Sequence, residues 1–146
     1  MGIKRQAREI ALQVLYPLDM TDLSIDDALA RFFDCFDAEP MARARAEEIV
    51  RGVHAQRARI DEVLVQASPR WRLERMALVD RNLLRLCIHE LLFDAETPAR
   101  VVIDEGVEIA KRFGAEESAR FVNGVLDAAA RALGRLEGEA PGGGGT

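Results

Sequence analysis

The chain has 146 residues, of which 49% are hydrophobic and 31% charged, with a net charge of −5. That is the composition of one soluble globular domain with a substantial core. It holds no stretch near the roughly 18 apolar residues of a membrane span, and its N-terminus lacks a signal-peptide core.

Aromatic residues are scarce, alternating β-branched runs are missing, and Ala, Leu, Arg and Glu dominate, so an all-α fold is expected. A first helix is expected from about Lys4 to Leu18. Ala7, Ile10, Ala11, Val14, Leu15 and Leu18 make its apolar stripe, and Pro17 should kink or end it. Lys4, Arg5 and Arg8 turn its start into a small basic tip, against 17 basic and 25 acidic residues in the remaining chain. A tip of this kind suits a local phosphate contact better than a whole-surface nucleic-acid binder; a solvated helix start gives the same pattern.

Ser24 and Asp27 form the ends of a capping box that opens a second helix, with Leu29, Phe32, Phe33 and Phe36 as its buried face. Pro40 suits the first turn of a third. That helix is expected to reach about Gln66, with Ile49, Val50, Val53, Ile60, Val63 and Leu64 facing inward and Gly52 at a close crossing. Ser68-Pro69 stops it, and "RWRLERM" reads as a short helical connector. Leu78 to Phe93 is apolar nearly all round and belongs at the centre. A further helix runs from about Arg100 to Phe113 and stops at Gly114 as a C′ glycine. The last starts at Ser118 as N-cap and runs to about Leu133. Residues 1–134 therefore read as one helical domain, and 135–146 as a disordered Gly-rich tail.

Chemistry is sparse along this chain. Cys35 and Cys87 stand apart, Cys87 inside an apolar run, and no Cys/His cluster has ligand spacing, which argues against a metal and for a reducing cytoplasm. His54 and His89 have no nucleophile placed with them by a recognisable motif, and neither a Walker loop nor a GxGxxG occurs. No enzyme and no cofactor are expected. The acidic pairs Asp104-Glu105 and Glu116-Glu117 read as solvated helix faces or helix-dipole partners.

The stretch "FGAEESARFVNGVLD" is more informative. Asn123-Gly124 is a strong turn signal set inside helical spacing, where Gly costs about 1 kcal/mol against Ala. The expected resolution is that Gly124 stays helical and admits a neighbouring helix, with Asn123 bonding across that crossing. Arg120 adds charge to a helix start suited to phosphate, and Phe121 offers either a stacking face for an unpaired base or a core side chain.

Three segments, "RQAREIALQVLY", "LERMALVDRNLLRLCIHELL" and "VVIDEGVEIAKRFGAEESARFVNGVLD", resemble the NusB family of transcription antitermination factors over roughly residues 4 to 133. The resemblance implies seven helices in two small packed bundles. It implies binding of single-stranded boxA RNA together with the ribosomal protein NusE, and membership of an RNA polymerase antitermination complex acting on ribosomal RNA operons. Neither catalysis nor a cofactor is implied, and a homodimer is among the states it allows. By residue, it implies RNA contacts at Lys4, Arg5, Arg8, Tyr16, Glu117, Arg120 and Phe121, and a partner contact at Asp80. Gln6 stands where a further basic residue is usual; Pro17 after the Tyr, Asp104 for Asn and His89 for Tyr are other departures. The same fold also serves as a helical domain of a ribosomal-RNA cytosine methyltransferase, a reading that needs a downstream catalytic domain. A protein-interaction bundle without RNA binding is a third reading.

Overall fold

The computed structural model describes residues 2–136, and these form seven α-helices and no strand. They are α1 (Ile3–Met20), α2 (Ile25–Cys35), α3 (Pro40–Ala55), α4 (Arg57–Ala67), α5 (Leu78–Phe93), α6 (Ala99–Phe113) and α7 (Ser118–Ala132), with a 3₁₀ turn at Leu73–Arg75. The class is all-α, as expected. α1, α2 and α3 pack as one small bundle and α4 to α7 as a second. α5 packs on α1 and α3 as well as on α4, α6 and α7, so it is the shared centre. Its Leu83, Leu84, Leu86, Cys87, Ile88 and Leu91 are all buried, which is why its sequence is apolar around the whole circumference.

In the first bundle the Ser24 half of the expected capping box and the Pro40 helix start form, while no return bond from the Asp27 carboxylate occurs among the described residues. Ser24 Oγ accepts from the Asp27 N–H at 3.0 Å, and Pro40 sits in the first turn of α3 beneath the Glu39 carboxylate, which takes the Met41 and Ala42 N–H groups. The α2 face is shallower than expected. Phe32 and Phe33 are half-buried and Phe36 is 55% exposed, stacked on Phe32 with ring centroids 4.9 Å apart.

Other expectations change. The helix expected to run from Pro40 to Gln66 is two helices, broken at Gln56, whose N–H is shared between the Gly52 and His54 carbonyls. The apolar period continues across the break, so nothing in the pattern marks it. A single helix of that length would span about 40 Å, whereas the two pieces dock separately, α3 on α1 and α4 on α5 and α7. The connector expected to be helical is only the 3₁₀ turn. Pro17, expected to kink or end α1, does not end it: the helix continues to Met20. The continuation delivers Asp19 to a buried network: its carboxylate accepts from Arg81 Nε at 2.9 Å, Asn82 Nδ2 at 3.0 Å and Arg85 Nη1 at 3.1 Å. Arg85 in turn pairs with Asp61 of α4, so the end of α1 is tied to both α5 and α4. A proline inside a helix costs about 3 kcal/mol, and the last turn of α1 is held in spite of it by these bonds to α5.

The glycines divide into those that follow their sequence reading and those that do not. Gly52 does lie at a crossing, since a Cβ there would fall 2.5 Å from His89 Nε2. Gly124 does not: a Cβ there would meet nothing within 4 Å, and Asn123 and Gly124 are both exposed. The tight approach of α6 to α5 and α7 is at Gly106, where a Cβ would come within 2.9 Å of Leu126 Cδ1 and 3.0 Å of Cys87 Sγ. Gly114 ends α6 with extended rather than left-handed backbone. A side chain is excluded there because its Cβ would fall 2.5 Å from Ser118 Oγ. Ser118 is not the N-cap of α7; it is buried as the first helical residue, and its Oγ accepts from the Ala115 N–H. Beyond α7, Gly134 takes the left-handed conformation at φ 72°. Arg135 and Leu136, expected in the tail, pack on the fold: Arg135 donates to the Leu91 and Thr97 carbonyls and Leu136 is buried. The remainder of the expected tail, 137–146, lies outside the described residues.

Candidate nucleic-acid and partner interface

The basic tip is largely an internal device. Arg8, expected at the surface, is 3% exposed. Its Nε and Nη2 donate to the two Glu90 oxygens at 2.9 and 2.5 Å, and Nη1 lies 3.6 Å from Glu105. Burial works against the Arg8 charge, but the Glu90 carboxylate outweighs it and holds the guanidinium above its ordinary range. Arg5 is half-buried and grips Glu105 with two bonds of 2.7 Å. That bond from Arg5 holds the Glu105 carboxyl below the usual carboxylate range, against the opposing effect of burial. Glu9, also buried, takes Arg112 at 2.7 Å. The first turns of α1 are thus clamped to α5 and α6 by three ion-paired sets, and Glu105, read from sequence as part of a solvated face, is a clamp residue. Lys4 alone of the tip is exposed and makes no ion pair among the described residues. It lines a cleft of about 800 Å³ with Arg5, Arg45, Asp94 and Glu105.

Tyr16 lies elsewhere. It is twelve residues from Lys4 on the same helix, about 18 Å at 1.5 Å per residue. Its ring is exposed in a groove with Leu12, Phe32, Phe36, Val79 and Phe113.

The remaining site residues come together. Asp80, Glu117, Arg120 and Phe121 line one groove of about 350 Å³, with Trp71 and Arg75. Asp80 is in the first turn of α5; its Oδ1 is buried and has no hydrogen-bond partner among the described residues. Glu117 and Arg120 are exposed, Phe121 is half-buried, and Val122, Val125 and Leu126 face the core. Val79 and Asp80 are consecutive, so the Tyr16 groove and the Phe121 groove flank the same turn of α5. The residues implied for RNA and the one implied for a protein partner therefore meet around the start of α5, while Lys4 marks a separate locus.

Trp71 escaped the sequence reading. It is 57% exposed and meets Phe121 edge to face, with centroids 5.4 Å apart and planes at 72°. The available signal was the interleaving of arginine and an aromatic in Arg70-Trp71-Arg72 behind Pro69. Cys87 is fully buried and burial pushes its thiol far up, so it is core, while Cys35 is exposed. Among the described residues no helix is long and apolar enough to cross a membrane.

Grooves lined by aromatics and arginine, held on clamped helices, define a helical binding protein. The class can be made specific. The chain belongs to the NusB family, whose model matches residues 5–131. It is 47% identical over 137 residues to the transcription antitermination protein NusB of Sorangium cellulosum, covering 94% of this chain and 98% of that one. Relatives of this kind are named for transcription antitermination. The fold superposes on T. maritima NusB with a TM-score of 0.80 at 34% identity, covering 90% of this chain and 92% of the other. It also superposes on a chain from a crystal structure of the antitermination factors NusB and NusE in complex with dsRNA, with a TM-score of 0.80 at 26% identity over 90% and 98% of the two chains.

Proposed function

We propose that this protein acts in the cytoplasm as a transcription antitermination factor. It binds single-stranded boxA-type RNA together with the ribosomal protein NusE and joins the RNA polymerase antitermination complex that transcribes ribosomal RNA operons. The observation that carries this reading is the convergence of Asp80, Glu117, Arg120 and Phe121 on one groove in a chain of this family. A similar fold occurs in a complex with NusE and RNA.

In this reading Phe121 stacks an unpaired base, Arg120 and Lys4 hold phosphates, and Glu117 moderates the affinity by repelling phosphate. Tyr16 extends the RNA edge along α1. Asp80 faces NusE. Its unpaired acceptor supports that role, because a buried polar atom without a partner costs about 1–3 kcal/mol, which a donor on NusE recovers. Arg5 and Arg8 serve the fold first, holding α1 in place so that Lys4 and Tyr16 are presented from a rigid helix.

The test is binding of labelled boxA RNA and of a scrambled RNA, each with and without NusE. Preference for boxA in the presence of NusE is expected. Equal binding of both RNAs under all conditions would leave only a protein-interaction bundle.

A further inference from the structure

The connector between α4 and α5 has no assigned role in the proposed function, yet it carries the exposed Trp71. Trp71, Arg120 and Phe121 line two grooves, one of about 350 Å³ toward Asp80 and Glu117, the other of about 300 Å³ toward Pro69 and Gly124. They form the ridge between the grooves. Six of the basic side chains, Lys4, Arg31, Arg59, Arg70, Arg75 and Arg120, make no ion pair or hydrogen bond among the described residues. Three of the six line the two grooves: Arg75 the first, Arg70 the second and Arg120 both. All three are exposed.

An exposed indole with uncompensated arginines on both sides has the chemistry of a single-strand nucleic-acid surface: π-faces for bases and fixed positive charge for the backbone. A protein helix docking there would have to cover those charges. Glu117 and Asp80 flank only the first groove, so the phosphates follow the Arg70 and Arg120 side. Gly124 lines the second groove, and its missing side chain keeps that groove open. This gives the exposed Asn-Gly in α7 a use that helix packing does not.

We propose that Trp71 is a second base-stacking residue beside Phe121, with Arg70 contacting a flanking phosphate of an unpaired RNA segment that follows the Arg70 and Arg120 side of the ridge. The proposal rests on the RNA-binding reading above.

Trp71 is the sole tryptophan of the chain, so its emission reports on this site alone. The experiment titrates the full chain with fluorescein-labelled single-stranded boxA RNA, with and without NusE, following label anisotropy and indole emission together. Trp71→Phe, which removes the chain's indole, supplies the blank for any NusE signal. Quenching of Trp71 in step with the anisotropy is expected. Trp71→Leu should lower affinity about 5- to 150-fold, the range for one lost base–aromatic stack, and Trp71→Phe should keep most of it. Arg70→Gln should reduce the log-log salt slope by roughly 0.7, the value for one phosphate contact. A Cβ at Gly124 meets nothing within 4 Å, so Gly124→Leu should fold, and it should weaken RNA binding by filling the second groove.

RNA binding with Trp71 unquenched and with undiminished affinity in folded Trp71→Leu would overturn the proposal and leave the RNA-binding reading standing. Loss of NusE binding in place of RNA binding would also overturn it, assigning the ridge to protein. Absence of RNA binding with or without NusE would remove both. Should Trp71→Leu fail to fold, the emission of the unaltered chain and the affinity of Gly124→Leu decide.

Discussion

Replacing Arg8 by Met separates a structural arginine from a phosphate ligand. Arg8 donates both of its forked bonds to Glu90, and both residues are buried. The substitution fills much of the space but leaves the Glu90 carboxylate in the interior without its cation. Breaking a buried pair in this way typically costs 3–5 kcal/mol, a large share of the roughly 5–15 kcal/mol that holds a domain together. At about 3–4 °C per kcal/mol for a chain of this size, the melting temperature should fall by about 9–20 °C. Urea and thermal unfolding followed by circular dichroism measure the loss. The double variant Arg8→Met/Glu90→Met should recover most of it, because a buried ion pair replaced by packed apolar groups is often neutral. RNA titrations on the folded fraction of Arg8→Met should keep the salt slope of the unaltered chain. A loss of stability below about 1 kcal/mol together with a slope lowered by roughly 0.7 would refute the clamp and return Arg8 to the RNA surface.

Three further outcomes follow from the same geometry. Lys4→Gln should lower the salt slope of RNA binding by roughly 0.7 with little change in melting temperature, since Lys4 is exposed; an unchanged slope would exclude a phosphate contact there. Acid should unfold the protein through its clamped carboxylates. At Asp19 burial opposes ionisation, but bonds from Arg81 and Asn82 and the charge of Arg85 hold it below the usual range, and Glu105 is held low chiefly by its bond from Arg5. Groups depressed in the folded state bind fewer protons there than in the unfolded chain, so their contribution is present above the ordinary carboxylate range and is lost as pH falls through it, below about pH 4. Urea midpoints between pH 7 and pH 3 should show this loss, and Asp19→Asn should flatten it; an equally steep loss in that variant would show that Asp19 is not a source. Finally, Asp80→Lys should weaken NusE binding measured by calorimetry without weakening the binding of RNA alone, and undiminished NusE affinity in the folded variant would make Asp80 only a helix-start residue.

What the sequence determined by itself is what local chemistry encodes. The apolar period of α1, α6 and α7, the all-round hydrophobicity of α5, the Ser24 cap and the Pro40 start are properties of a few neighbouring residues, and the structure keeps them. The family motifs, too, lie in contiguous runs. Tertiary structure decided the rest, because the partners are far apart along the chain. Arg8 reads as a surface charge until Glu90, 82 residues away, is brought against it, and Arg5 likewise until Glu105 arrives from 100 residues on. The break at Gln56 is invisible because the helical period runs through it; it exists because α3 and α4 have different helices to cover. Gly124 and Gly106 cannot be told apart by composition, and only the neighbouring helices decide that Gly106 is the close crossing and Gly124 an open groove floor. Trp71 becomes part of a surface only when the connector is laid against Phe121 at the start of α7. Periodicity states which face of a helix is buried, but which charges meet on the far side, and what remains unpaired at the surface, is fixed by packing.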